Sequence, residues 1–328
     1  MPAPDRSHPP VPPVSRRSAP VFGTPERHRE LASAFAGQGE DYDRLRPGYP
    51  APVIDAILDA VPAVDTARPR YSTSPGPSTL LSPAAMPLPS QKRPQLPPAR
   101  ATTTVADLGA GTGKLSRALA DRGLDVIAID PSASMLDAAL AAGPGISPTR
   151  TDAGGADGPG PDRPRLRTLV GTAEATGLPD ASVDLVTAAQ AWHWFDTEVA
   201  SAEVTRILRP GGALALVWNT LDVAIGWVHR YSRIMHAGDV LRDDFTPPTA
   251  AGLRIVARVV HRWEDPRPTQ ELIDLARTRS YVITASPERR EKVLANLDWY
   301  VHEHLGHAPG SIVGIPYRTD LFLLRADV

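Results

Sequence analysis

Val105-Ala-Asp-Leu-Gly-Ala-Gly-Thr-Gly113 decides how this chain is read. Thr104 to Leu108 is short and apolar, as a buried strand is. Three alternating glycines follow, and then an amphipathic run from Lys114 to Arg122. Strand, glycine loop and helix in that order form the unit that binds nucleoside ligands outside the carboxyl ends of parallel strands. Glycines at 109, 111 and 113 let a ligand approach the backbone closely. The same loop also serves as a bare strand-to-helix turn, so its details must choose.

A dinucleotide fingerprint is G-x-G-x-x-G. Here the third glycine comes one residue early, and Lys114 stands where it should be. A phosphate loop would end Gly-Lys-Ser/Thr, whereas this chain has Gly113-Lys114-Leu115. Asp107 stands just ahead of the loop. A carboxylate there repels a pyrophosphate and suits a ligand bearing an ammonium and a sulfonium. Asp130 lies seventeen residues past Gly113, at the end of the next apolar run. It can accept both hydroxyls of a ribose or cap the following helix, although Ser132 can provide that cap instead.

Working outward, strands alternate with helices. Strands are expected at Thr104–Leu108, Asp125–Ile129, Leu166–Val170, Val183–Ala189 and Ala213–Trp218. Helices are expected at Pro50–Val61, Lys114–Arg122, Ser134–Ala142 and Glu198–Leu208, the last stopped by Pro210-Gly-Gly212. Two further strands are expected at Ile255–Trp263 and Thr319–Leu324, with helices near Thr269–Arg279 and Pro287–Leu305. This pattern predicts an α/β fold with a doubly wound, mainly parallel seven-stranded sheet.

The 328 residues include 36 prolines, unevenly spread. Residues 1–25 read as a disordered tail, and 62–100 and 143–165 as flexible proline-rich insertions. They fall between elements, so residues 26–328 read as one domain, with a helical acceptor-side cap within 220–310.

The formal net charge of −2 gives no reason to expect nucleic acid or an anionic membrane as partner. No cysteine is present, which excludes disulfides, thiolate metal sites and cysteine nucleophiles. No metal cluster with ligand spacing appears. The N-terminus lacks the apolar stretch of a signal peptide and no run is long enough to span a membrane, so a cytoplasmic enzyme is the expectation. Oligomeric state is not legible.

The glycine loop, Asp130-Pro-Ser-Ala-Ser-Met-Leu136, Gly171-Thr-Ala-Glu174, Leu178-Pro-Asp-Ala-Ser-Val-Asp184 and Leu208-Arg-Pro-Gly-Gly212 together resemble the class I S-adenosylmethionine-dependent methyltransferases. Arg46-Pro-Gly-Tyr-Pro50, Gln190-Ala-Trp-His-Trp-Phe-Asp196 and Pro316-Tyr-Arg-Thr319 are similar to a narrower group that includes trans-aconitate methyltransferase-like enzymes. The resemblance covers residues 35–60 and 102–328. It implies a Rossmann-like methyltransferase fold, S-adenosyl-L-methionine as cofactor and a small-molecule methyl acceptor as partner.

It also implies roles. Asp107, Gly109, Gly111 and Gly113 would hold the methionine moiety, and Asp130 the ribose. Met135 would pack on adenine, or else in the core. Ala173 and Glu174 would meet the adenine edge, although Thr172 stands where that group more often has Asp. Gln190 would line the methyl-transfer cleft. Trp192 and Trp194 would wall the substrate side or plug the space under the cap. His193 is the one candidate general base, with a positioning role as the alternative. Arg46 and Tyr49 would close over the site, Arg46 pairing with a carboxylate, or else form an exposed turn. Arg318 reads as a strand-end surface residue. Two other functions stay open at this point: a non-catalytic S-adenosylmethionine-binding regulatory protein, and an NAD-dependent oxidoreductase.

Overall fold

The computed structural model describes residues 43–61, 103–141, 166–237, 241, 243–250 and 252–326. The proline-rich tail and both insertions read from the sequence lie outside these residues. Helix α1 (Ala51–Asp59) precedes strand β1 (Thr104–Leu108). Then come α2 (Lys114–Asp121), β2 (Asp125–Asp130), α3 (Ala133–Ala141), β3 (Leu166–Val170) and β4 (Val183–Ala189). A 3-10 turn at Trp192–Trp194 leads to α4 (Thr197–Ile207), β5 (Leu208–Leu221) and α5 (Gly226–Ile234). Strand β6 (Leu253–Pro268) is followed by α6 (Thr269–Asp274), a 3-10 turn (Leu275–Thr278), α7 (Ser280–Ile283) and α8 (Pro287–Trp299). Helix α8 runs on into a π-helical turn at Tyr300–His304, and β7 (Ile312–Ala326) closes the described chain.

The seven strands form one sheet in the order β3-β2-β1-β4-β5-β7-β6. The first five are parallel, and β7 runs antiparallel between β5 and β6. The strand order reverses between β1 and β4, which opens a crevice at their carboxyl ends.

Alternation along the strands divides the core. Ala106, Leu108, Ile127, Ile129, Leu216 and Trp218 face α4 on one side of the sheet. Val105, Val126, Ala128, Leu185 and Val217 face α1 and α2 on the other. Helix α2 forms because Leu115, Leu119 and Ala120 share one buried face. Helix α4 is capped by Asp196, whose side chain accepts from Glu198 N and Val199 N.

The expected elements are all present, and the last two strands are much longer than expected. Strand β6 extends to Pro268, and β7 begins at Ile312 rather than Thr319. The extra length is a two-stranded arm, paired from Trp263↔Tyr317 out to Pro268↔Ile312. Its prolines and charges hid it from pattern reading, yet Pro266 and Pro268 are tolerated because β6 is an edge strand. The helices α5 to α8 pack on this arm through Tyr231, Leu272, Leu297, Tyr300, Ile315 and Tyr317, and so form a helical cap beside Leu221 at the carboxyl end of β5.

Candidate active site

The loop after β1 puts Gly109, Gly111 and Gly113 at φ +64°, +55° and +73°, all in the left-handed region. The three glycines serve different ends. A Cβ on Gly109 would lie 2.6 Å from Ala191 Cβ, and one on Gly113 2.7 Å from Ala139 Cβ. Both residues are therefore small so that protein can close on protein. A Cβ on Gly111 would meet only Met135 Cε, at 3.8 Å, which leaves this position open to an incoming ligand.

Two carboxylates sit under and beside the loop. Asp107 is 1 % exposed. Ser116 Oγ donates to its Oδ2 at 2.5 Å and Thr187 Oγ1 to its Oδ1 at 2.6 Å. Burial pushes its carboxyl up to about 6, against the pull of the two hydroxyls, and the neighbouring Asp130 charge adds to the rise. Asp107 thus braces β1 against α2 and β4 from inside, and any cation above the loop meets it through its field rather than on an open surface. Asp130 stands at the rim. Its Oδ2 accepts from Gly111 N at 2.9 Å and its Oδ1 from Ser132 N at 2.8 Å. Desolvation raises its pKa, and these two backbone donors oppose the rise. Each oxygen keeps a second lone pair, so the pair of them fits two adjacent hydroxyls. Ser132 Oγ accepts from Met135 N at 3.4 Å, so Ser132 rather than Asp130 starts α3. Met135 is buried beside Gly111. Ala173 is also buried, and Glu174 Oε1 accepts from Asp196 N at 2.9 Å, which ties the β3 loop to the start of α4.

At the end of β4, Gln190 takes φ +57°, unusual for a residue with a side chain. Its N–H donates to Val217 O, and its Nε2 donates to Asn219 O. Strain held by two strand-end contacts is typical of functional turns. Trp192 belongs to the hydrophobic core. It is fully buried, its Nε1 donates to Pro248 O at 2.8 Å, and it meets Phe195 edge to face. It packs with Ala200 and Val204 of α4, the plug that the sequence also allowed. Trp194 is only half-buried and its ring lies 5.3 Å from that of His193. Trp218 Nε1 donates to His193 Nδ1 at 3.2 Å. An indole N–H can only donate, so neutral His193 carries its proton on Nε2.

The segment Asp43–Pro50 is a strap that ties α2 and the end of β5 to α6 and the 3-10 turn after it. Arg117 Nη2 binds Asp43 at 2.8 Å, and Arg44 Nη1 meets Glu271 of the cap at 3.2 Å. Arg46 Nη2 donates to Thr278 O at 2.8 Å. Gly48 O accepts from Asn219 Nδ2 at 2.8 Å, and Tyr49 packs beside α1 and α2. Asn219 Oδ1 in turn accepts from Thr319 Oγ1 at 2.6 Å. Neither Asn219 nor Thr319 was singled out from the sequence. The available signal was a polar Asn219-Thr220 pair following the apolar run of β5, just where that strand reaches the crevice.

Arg318 is not a surface residue. It is 9 % exposed, binding Asp243 Oδ1 at 2.6 Å and Asp320 Oδ1 at 2.9 Å. Among the described residues no group of three or more acidic or histidine side chains has metal-site geometry, and no helix is long and apolar enough to cross a membrane.

A family model described as a methyltransferase domain matches residues 106–216. The chain is 35 % identical over 292 residues to an uncharacterized methyltransferase of Mycobacterium tuberculosis, spanning 89 % of this chain and 95 % of that one. It is 40 % identical over 120 residues to a malonyl-[acyl-carrier protein] O-methyltransferase of Methylococcus capsulatus, 36 % of this chain and 37 % of that one. A solved structure from Anaeromyxobacter dehalogenans shares the fold, with a TM-score of 0.54 at 22 % identity over 85 % of this chain and 97 % of that one.

Proposed function

Because the chain belongs to the class I S-adenosylmethionine-dependent methyltransferases, we propose that it transfers a methyl group to an O, N or C nucleophile of a small molecule held between the strap and the cap. S-adenosylmethionine is the methyl donor. When bound it supplies an electrophilic methyl on a sulfonium, so the protein's task is to align the nucleophile and exclude water. The name of the Methylococcus capsulatus relative favours oxygen among the three acceptor atoms.

The observation that carries this reading is the pairing of Asp130 with Gly111. One carboxylate fixes the one open glycine of the loop and keeps lone pairs for a ribose. Around it, Gly111 and Met135 make the adenosine side, and Gln190 and Asn219 the methyl-transfer end. Gly109 and Gly113 shape the loop through Ala191 and Ala139. Asp107 acts at one remove, stabilising the donor's cations through its field. Ala173 and Glu174 set the edge of the adenine pocket, with Glu174 held by Asp196 N. Arg46, Tyr49 and Trp194 close the acceptor side. His193 positions rather than abstracts, because Trp218 already occupies the Nδ1 lone pair that a base would use.

Calorimetry with S-adenosylhomocysteine tests the reading. Asp130→Ala removes a charged acceptor of two hydroxyls, and affinity should fall about a hundredfold. Unchanged affinity in a folded variant removes Asp130 from the site. Binding of NAD in place of S-adenosylhomocysteine overturns the cofactor side of the proposal.

A further inference from the structure

A run of polar contacts crosses the sheet where its outer strands meet the strap. Asn219 of β5 stands in register with Thr319 of β7, and Trp263 of β6 lies diagonally across from Thr319. Asn219 is 5 % exposed and Thr319 is fully buried. A valine would fill the place of Thr319 with the same shape and no polar atom to satisfy, so a hydroxyl kept there calls for a use.

Chemistry assigns every hydrogen in the run. An indole N–H can only donate, and Trp263 Nε1 donates to Thr319 Oγ1 at 2.9 Å. The carbonyl of Gly48 can only accept, so it faces Asn219 Nδ2, at 2.8 Å. The amide oxygen of Asn219 is thereby turned toward Thr319, whose single hydrogen it receives at 2.6 Å. The backbone carbonyl of Asn219 accepts in turn from Gln190 Nε2. One residue therefore carries the strap on its side chain and Gln190 on its main chain. The run starts in the cap, where Trp263 stacks on Tyr317 with ring centroids 5.5 Å apart. The far end of the strap reaches the glycine loop, because Arg117 binds Asp43 at 2.8 Å and also donates to Thr112 O.

We propose that Thr319, backed by Trp263, is a positioning residue for methyl transfer, its hydroxyl orienting Asn219 so that the strap and Gln190 are both held at the end of β5; this rests on the methyl-transfer reading above. Donors aligned in one direction polarise one another, so the run is stiffer than its separate bonds. Without the hydroxyl, Asn219 Oδ1 is a buried acceptor that has lost its donor. The side chain then turns to find another, and Nδ2 leaves Gly48 O. Thr319 acts only through Asn219, so its loss loosens the strap while the inner strands stay closed.

The test compares Thr319→Val, which keeps the shape and removes the hydroxyl, with Thr319→Ser, which keeps the hydroxyl. Full-length proteins are titrated with S-adenosylhomocysteine by calorimetry, and amide hydrogen exchange is followed by mass spectrometry over residues 43–50 and 104–130, with and without it. In Thr319→Val the affinity should fall about tenfold and residues 43–50 should exchange faster, while 104–130 stay as protected as in wild type. Thr319→Ser should restore both. Where circular dichroism shows that Thr319→Val does not fold, Asn219→Leu takes its place and should show the same two losses. A folded variant with wild-type affinity and wild-type exchange at 43–50 overturns the proposal. So does equal loss in Thr319→Ser, or faster exchange at 104–130 to the same degree, because either reduces the residue to packing. Failure of S-adenosylhomocysteine to bind wild type overturns the methyl-transfer reading instead, and the exchange of residues 43–50 without it still judges the hold on the strap.

Discussion

The inner strands β1, β2 and β4 and the outer arm of β6 and β7 both shape the crevice, but they are held by different kinds of contact. In the inner region the contacts around the glycine loop are near in sequence, and the tie from Thr187 to Asp107 across 80 residues is the longer exception. Asp130 reaches Gly111 across 19 residues and Asp107 reaches Ser116 across nine. In the outer region they are far apart. Asp320 binds Arg258 across 62 residues, Arg318 binds Asp243 across 75, and Asn219 binds Gly48 across 171. The inner region is a local motif built around the glycine loop. The outer region is an assembly of distant charges that locates the cap over it.

Breaking the outer region should have the largest effect. Asp320 is fully buried between Arg258, at 2.7 Å, and Arg318, while Arg258 lies 4.9 Å from the centroid of the Phe322 ring. Asp320→Ala removes the buried carboxylate that the two guanidinium groups share and leaves Arg318 only its exposed partner Asp243, a loss of about 3–5 kcal/mol. Urea unfolding measures it, and a change below about 1 kcal/mol would show that the charges are solvated in the working protein.

The inner region should break unevenly. Gly109→Ala drives a methyl against Ala191 as well as into a left-handed backbone, and should cost about 2–4 kcal/mol. Gly111→Ala meets only the left-handed penalty, about 1–2 kcal/mol, and should weaken S-adenosylhomocysteine more than it weakens the fold. The same unfolding curves, with and without S-adenosylhomocysteine, compare the two. Equal costs would contradict the division of labour among the glycines.

The smallest effect sharpens the boundary between the regions. His193 is held by Trp218 of β5, not by the loop. His193→Gln should lower kcat less than about tenfold and leave the pH–rate profile without a lost ionisation, because removing a true base costs about a hundredfold or more. A larger loss with a flattened profile would restore the catalytic role.

These differences explain what was legible beforehand. The strand–loop–helix unit, Asp130 and Ser132 were readable because local spacing determines their contacts. Trp192 could be read in two ways because an aromatic run after a strand has the same pattern whether it lines a cleft or fills the layer beneath it. Only packing against Pro248 and Phe195 tells them apart. Arg318 was taken for a surface residue because its partner Asp243 is 75 residues away and carries no motif. The arm beyond Trp263 was missed because its pairing, not its apolar pattern, holds it extended.

Asp107 has a thermodynamic consequence of its own. Its folded pKa of about 6 lies above the unfolded value of 3.8, so between those values the folded chain holds a proton that the unfolded chain releases. The contribution to stability is present at low pH and is lost as pH rises through about 6, by roughly 3 kcal/mol in all. Above that pH the empty protein carries a dry, ionised carboxylate at a standing cost. A cation arriving over the loop would recover part of that cost as binding energy. When the methyl group leaves, the sulfonium charge leaves with it, and the recovered energy goes too. On the role proposed for Asp107, the same buried charge that favours the donor loosens the protein's hold on the spent thioether.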